Sequence, residues 1–336
     1  MAAGRVRVTV GIPTFNRASL LRETVESVLA QTYTAFQLLI CDNASDDDTM
    51  ELVAAFADPR VRYVRSSENI GLIPNQNRVM ELAETEYLVV LPDDDLLYPD
   101  HLAETVATLD RNQTVGFVHT AFDVIDATSQ PTERSRMLLE AAGGLMIESG
   151  PAFLERSMRS PWTVCWPSAL FRTEALTGAG RQRVSDGVMQ DFPLLMRIAR
   201  DWDVAFLPET LAATRMHAGA ATVALASSAG GRLIYDDHAR ILHQHRLQFI
   251  DEANLQRDVA RRYRAAADDT YRRETVRTLA DRAGLGKSWT STWSALTRVV
   301  RDEPRAALLP ETWKLVAAQL GGRRAKRAVG RFRRRA

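Results

Sequence analysis

The first hundred residues alternate between short apolar runs and helically spaced ones. Residues 6–12 alternate apolar and polar positions before turning wholly apolar, and Pro13 ends the run as a strand. Residues 36–41, 61–64 and 87–91 are further strand-favouring runs, the last of them uncharged and closed by Pro92. Helical spacing fills the gaps. Leu20, Leu21, Thr24, Val25, Val28 and Leu29 share one face behind Ser19 as N-cap, and residues 50–57 and 75–83 read as two more helices. The order β-α-β-α-β-α-β calls for a parallel sheet with covering helices and right-handed crossovers. The polar loops after the first, second and fourth strands then open on one edge, where open α/β sheets place their ligands.

The second half is patterned less regularly. Residues 115–120 and 204–208 read as strands, and residues 123–145 as a polar hairpin or acceptor loop. Residues 160–172 combine two tryptophans and two prolines with an apolar strand. Asp191 precedes a helix whose apolar positions include Leu194, Leu195, Ile198 and Ala199. From about Ser227 the character changes: residues 232–283 form long helical patterns rich in Arg, Asp and Ala, and 287–320 add helical segments with Trp289, Trp293 and Trp313. The expected organisation is a domain over 1–225, with a nucleotide-binding half at 5–110 and an acceptor half at 111–225, a helical region over 226–320 and a basic tail at 321–336.

Composition changes this picture in two places. The chain is ordinary for a globular protein, 46% hydrophobic and 25% charged, and long enough at 336 residues for a full core. No apolar run approaches the roughly 18 residues of a membrane span. No apolar core of signal-peptide length follows the first nine residues, so a cytoplasmic protein is expected, with Cys41 and Cys165 as reduced, buried thiols. The net charge of +1 hides an asymmetry: Arg323, Arg324, Lys326, Arg327, Arg331, Arg333, Arg334 and Arg335 crowd the tail without a single acid. With Trp313, Leu315, Val316, Leu320, Val329 and Phe332 interleaved, the tail reads as a peripheral anchor to anionic lipid or as a solvated end. Confinement of the basic charge to the tail argues against a nucleic-acid partner.

The candidate chemistry lies at the end of the fourth strand, where Asp93, Asp94 and Asp95 follow one another. Carboxylates this close repel unless a cation or solvent offsets them. A hard divalent metal, Mn²⁺ or Mg²⁺, is one reading; a solvated acidic turn is the other. Residues 12–17, after the first strand, contain neither a dinucleotide-type glycine fingerprint nor a phosphate-binding loop. Phosphate must then be handled without a glycine cradle, and the Asp triplet is the candidate.

Four motifs in order carry a resemblance: VTVGIPTFNR at 8–17, LLICDNASDDDT at 38–49, ENIG at 68–71 and LPDDD at 91–95. The series resembles the family 2 glycosyltransferases over about residues 5–222. It implies the GT-A fold, a Rossmann-like nucleotide-binding sheet within a mixed central sheet, here with a C-terminal helical extension. It also implies an inverting, metal-dependent transfer from a UDP- or dTDP-sugar to a hydroxyl of a glycan or lipid-linked acceptor, in polysaccharide or glycoconjugate biosynthesis.

The resemblance assigns roles by position. Asp191 is the general base, although Asp at a helix start also reads as a cap. Gln190 stands beside it where the family carries Glu, on the acceptor side. Pro13, Thr14, Asn16, Asp42, Asn43, Asn77, Asp93 and Asp94 fall to the nucleotide, with Asn69 and Gly71 in the same loop-and-helix segment. Asp93, Asp95 and His217 fall to the metal and Arg215 to the diphosphate. Trp162 and Trp166 are acceptor-stacking candidates, or core. Asp42 is followed by Asn43 where the family often has a second acid, which leaves uridine and thymidine both open. Two other readings remain: sugar-nucleotide synthesis, which lacks its glycine-rich loop and lysine here, and a nucleotide-sugar-binding scaffold in which Gln190 marks a decayed centre.

Overall fold

The structure is a computed structural model that describes residues 5–134, 144–160, 164–186, 189–217 and 233–284. The chain divides into two compact units, residues 1–156 with 162–224, and residues 157–161 with 225–336.

The first unit opens with the expected alternation: β1 (Val8–Thr14), α1 (Ala18–Leu29), β2 (Phe36–Asp42), α2 (Thr49–Ala55), β3 (Val61–Arg65), α3 (Leu72–Leu82) and β4 (Tyr87–Val90). Next come β5 (Leu96–Leu97), α4 (His101–Arg111), β6 (Val115–Ile125), β7 (Pro131–Arg134), β8 (Met146–Glu148) and α5 (Gly150–Arg159). β9 (Ala169–Arg172), α6 (Thr173–Gly178), α7 (Asp191–Ala199) and β10 (Asp203–Arg215) complete it. One sheet runs in the order β3-β2-β1-β4-β9-β6-β10-β5, with β7 on β6 and β8 on β10. β1 to β4 pair in parallel, and β9 runs antiparallel to both β4 and β6. β6 therefore points the same way as β4, and β10, parallel to β6, does too. This is why residues far apart in sequence finish on one edge. A core of Val8, Val10, Ile12, Leu38, Ile40, Val89, Val118 and Leu170 fills the sheet's buried face.

Several boundaries differ from the sequence reading for physical reasons. β1 runs through Pro13 to Thr14, because β4 ends at Val90 and no strand on that side needs the missing N–H. Ser19 is not the cap of α1. The helix begins at Ala18, whose N–H donates to Asp47 Oδ2 at 2.9 Å, so the cap is borrowed from the next loop. α3 begins at Leu72 and carries Pro74 in its first turn, where a missing N–H is tolerated. β6 extends to Ile125 and turns into β7 as a hairpin, which places part of the 123–145 segment in the sheet.

In the second unit two long helices, Leu233–Glu252 and Arg257–Gly284, are joined by a short turn. Buried Leu242, Phe249 and Ile250 of the first and Tyr263 and Ala267 of the second supply its apolar residues. Arg246, wholly buried, donates from Nε to Ser157 O at 2.8 Å and from Nη2 to Ser160 O at 2.6 Å. Its guanidinium thereby caps the carbonyls of Ser157 and Ser160, which belong to this same unit. No helix among the described residues is long and apolar enough to cross a membrane. The sequence-predicted segments at 287–320 and the basic tail lie outside the described residues.

Candidate active site

The Asp triplet sits in the turn between β4 and β5, and β5 pairs with β10 at Ala212 and Ala213. That pairing delivers Arg215 and His217 to the triplet. All three Asp residues are buried, at 4–7% exposure. Asp93 accepts hydrogen bonds from Thr14 Oγ1 on Oδ2 (2.8 Å) and from Arg17 Nη1 on Oδ1 (3.1 Å). Arg17 Nη1 also donates to Asp94 Oδ2 at 2.9 Å, the oxygen that lies 3.0 Å from His217 Nε2. Asp95 Oδ1 accepts from the Arg215 backbone N–H at 2.8 Å. Thr24 on α1 donates to the Asp93 carbonyl at 3.0 Å and fixes the turn from below.

Burial leaves this charge only partly compensated. Desolvation pushes Asp93 up to about 6 despite Arg17, and desolvation with the neighbouring Asp94 charge raises Asp95 well above the carboxylate range. A cluster of carboxylates that resists ionisation is suited to a hard cation. Among the described residues no three His, Cys, Asp or Glu side chains converge as a complete cage. Asp94 and Asp95 are the carboxylates that would hold Mg²⁺ or Mn²⁺ together with phosphate oxygens, since both Asp93 oxygens are engaged by Thr14 and Arg17 and His217 Nε2 is turned to Asp94 Oδ2.

Arg215, read from the sequence as a diphosphate ligand, has a fully buried side chain. Its Nε donates to Asp94 O (2.8 Å), Nη1 to Ser129 Oγ (2.8 Å) and Asp126 O (3.3 Å), and Nη2 to Glu23 Oε2 (3.0 Å). It ties the triplet to α1 and to the β6–β7 turn. Arg17, which the sequence reading left unassigned, is instead the partly exposed cation at the triplet. Its place in the polar loop directly after β1 was the available signal.

The neighbouring loops are tied together. Asn16, at φ 53°, accepts from the Asp46 N–H on Oδ1 (2.8 Å), and its own N–H donates to Ser45 Oγ (2.9 Å). Asp42 is enclosed, accepting from the Ser45 N–H (2.9 Å) and the Tyr63 hydroxyl, with Arg65 Nε 3.4 Å away. Asn43 donates to Asn69 Oδ1 (2.8 Å) and Gly71 O (3.3 Å) and accepts from the Ile70 N–H (2.9 Å). Asn43 therefore closes the 69–71 loop over the end of β2. Pro13 lies in register with Cys41 inside the sheet. Asn77 faces Gln182 rather than β2: its Nδ2 donates to Gln182 O at 2.9 Å and its Oδ1 accepts from the Gln182 N–H at 3.0 Å.

Asp191 opens α7, and its Oδ1 accepts the Phe192 N–H at 3.1 Å. The residue is half-buried, yet its carboxyl is desolvated by the surrounding protein and pushed up to about 7, with little hydrogen bonding to oppose the shift. Gln190 donates to Gln76 Oε1 at 3.3 Å. Cys165, expected to be an inert buried thiol, lies within electrostatic reach of both Asp95 and Asp191, and Thr214 is hydrogen-bonded to Cys165 and to Asp95. The Cys165 thiol thus feels the charge of both the base candidate and the triplet, a link that the sequence pattern did not flag. Trp166 is buried with its ring centroid 5.0 Å from that of Phe171, and Trp162 lies outside the described residues.

Comparison with known proteins places this edge. Residues 9–177, just over half of the 336-residue chain, match the family described as glycosyl transferase family 2. The chain belongs to that family. The matched span runs from β1 through α6, so the family's domain contains the triplet and its loops, and ends before Asp191. Among relatives of the family 2 transferase, the putative colanic acid biosynthesis glycosyl transferase WcaA of Escherichia coli K12 is 30% identical over 114 residues, 33% of this chain and 41% of that one. The chain spans less than half the length of the curated relatives it matches first. S. aureus TarS residues 1–349, crystallised with UDP, superposes with a TM-score of 0.60 at 16% identity, covering 93% of this chain and 87% of that one. A mannosyltransferase from Pyrobaculum calidifontis, PcManGT, in complex with GDP-Man and Mn²⁺, gives 0.58 at 19% identity over 94% and 86%. These likenesses establish the fold as GT-A.

Proposed function

We propose that the chain is an inverting glycosyltransferase that moves a sugar from a UDP- or dTDP-sugar to a hydroxyl of a glycan or lipid-linked acceptor in polysaccharide biosynthesis. The observation that carries the reading is the buried Asp triplet at the end of β4, inside the family-matched span, with Thr14, Arg17, His217 and the Arg215 N–H gathered on it; Asp191, desolvated and pushed up to about 7, suits the base. A family-model match over the nucleotide-binding half and the UDP bound by TarS support the donor class.

In this reading the acceptor hydroxyl donates its proton to Asp191 while its oxygen bonds to the anomeric carbon. The bond from that carbon to the diphosphate breaks on the opposite face, and the electron pair leaves with the nucleoside diphosphate. A divalent cation, when bound by Asp94 and Asp95, would supply Lewis-acid neutralisation of the leaving diphosphate. Arg17 is the side chain free enough of burial to meet the diphosphate, while Arg215 holds the turn from which the carboxylates project. The base lies over the ends of β1 and β2, where Thr14 and the Asn43–Asn69 loop form the edge.

The test is nucleoside diphosphate release from a panel of UDP- and dTDP-sugars with Mn²⁺ and a glycan or lipid-linked acceptor. Asp191→Asn lowers turnover by roughly 10²–10⁴-fold, the range for a lost general base, while nucleotide binding persists. Undiminished turnover in Asp191→Asn and in Asp95→Ala would end the mechanism.

A further inference from the structure

Helix α3 carries three consecutive carboxamides, and each reaches a different element. Asn75 Nδ2 donates to Cys41 O at 2.8 Å, one residue before Asp42 at the end of β2. Gln76 Oε1 accepts from Gln190, the residue before Asp191. Asn77 makes the reciprocal pair with the Gln182 backbone. Successive helical residues diverge by about 100°, so three in a row sweep over half the helix circumference. Apolar residues would be expected on so enclosed a surface; here Asn75 is 2% and Gln76 8% exposed.

The helix is well placed to act as a rigid member. Gly11 of β1 lies so near α3 that a Cβ there would come within 2.1 Å of Val79 Cγ1, so the helix rests directly on the strand. Its first carbonyl neighbour, Gly71 O, accepts from Asn43 at the nucleotide edge. At the other side, side chains grip the backbone of the segment that precedes Asp191. Arg197 donates to Ala179 O (3.0 Å) and Arg181 O (2.9 Å) and lies 3.6 Å from Asp186, while Asn77 holds Gln182. Both polar atoms of the Gln182 side chain are buried without a partner among the described residues, so the bonds that hold Gln182 are those of its backbone.

We propose that α3 positions the general base: Gln76 holds Gln190 beside Asp191, Asn77 holds Gln182 in the 179–186 segment that Arg197 of α7 also grips, and Asn43 and Asn75 fix the same helix to the edge that receives the nucleotide. Binding at the nucleotide edge and alignment of the base are thereby coupled through one element. This rests on the proposed glycosyl transfer for its kinetic consequence, though not for its structural one. Asn77 and Gln76 are positioning residues and touch no reacting atom.

Hydrogen exchange separates the two. In the full-length protein, Asn77→Ala raises exchange at residues 179–186 by ten-fold or more, and leaves the α1 and β2 amides unchanged. UDP with Mn²⁺ slows exchange of 179–186 in the wild type and not in Asn77→Ala. Turnover of Asn77→Ala falls ~10–100-fold, the scale of a misplaced catalytic group, with the donor KM changed less than two-fold. Gln76→Ala lowers kcat, and Gln76→Glu, which keeps an acceptor for the Gln190 amide, restores it. Unchanged exchange at 179–186 in a folded Asn77→Ala protein overturns the proposal, whether or not the wild type turns over. Loss of wild-type turnover with the exchange pattern intact would instead overturn the proposed reaction and leave the coupling standing. A kcat drop matched by an equal drop in folded fraction would also overturn the positioning role.

Discussion

At the scale of single residues, the site separates side chains that hold from side chains that face the substrate. Asp191 has a folded-state value of about 7 because burial disfavours its charge. As the proposed base it must be deprotonated, so kcat is expected to rise with pH through about 7 and then level, which a pH–rate profile checks. The same shift has a cost in stability. The folded state binds a proton more tightly than the unfolded chain, so stability falls as pH rises from about 4 to about 7 and is flat above. Asp191→Asn removes that penalty while its side-chain oxygen still accepts the Phe192 N–H. At pH 8 it is expected to gain about 1–2 kcal/mol after allowance for partial exposure, or a few degrees in Tm, and to gain nothing near pH 4. Differential scanning at the two pH values reads this directly. Arg215→Lys is the opposite case. It cannot reproduce the fork to Asp94, Ser129 and Glu23, so it loses about 3 kcal/mol and unfolds at a lower urea midpoint, whereas Arg17→Ala, from a partly exposed position, loses less and weakens UDP binding. The sequence reading gave the diphosphate to Arg215 and left Arg17 unassigned, because burial is a property of the packed turn. Asp93, Asp94 and Asp95 were legible from their own spacing and from the strand before them; Cys165 and Thr214 were not, since nothing local marks a thiol that reaches a site through tertiary folding.

At the scale of elements, the early alternation was readable because each strand is a short apolar run with a breaker behind it. Where the reading missed, a neighbour supplied what local sequence lacked. Asp47 caps α1 in place of Ser19, and β4, ending at Val90, leaves no ladder on the side that Pro13 N faces, so β1 continues. The 123–145 segment was legible as a hairpin or acceptor loop, and β7 pairing with β6 gives the hairpin; its length was not legible, because β6 runs on past the apolar stretch into polar sequence. The close approach of α3 to β1 was likewise invisible, though Gly11 in a strand is the usual sign of one. Gly11→Ala forces Val79 aside and overpacks the interface, so chemical denaturation should show a loss of roughly 1–3 kcal/mol. If Gly11→Ala leaves the midpoint unmoved, the helix does not rest on the strand as described.

At the scale of the whole molecule, the matched family covers residues 9–177 and the charge asymmetry belongs to the other end. The basic residues from Arg323 to Arg335 were legible only as composition, and what they bind depends on surroundings that a sequence does not carry. As an anchor, the tail would contribute on the order of 1 kcal/mol per basic residue close to an anionic bilayer. Full-length protein should co-sediment with phosphatidylserine vesicles at low salt and release at 0.5 M NaCl, and deletion of residues 321–336 should abolish the binding without altering turnover on a soluble acceptor. Co-sedimentation that survives the deletion would remove the tail from that role.

The stitching of the first two loops has a consequence for anyone who would change the donor. Asn16 to Ser45 and Asp46, and Ala18 to Asp47, join residues 14–18 and 42–49 into one unit although a helix and a strand separate them in the chain. Neither loop can be exchanged alone without leaving the other's donors and acceptors open. A graft from a relative with different nucleotide selectivity must therefore carry both segments as a single cassette, and recombination between them is expected to yield poorly folded hybrids.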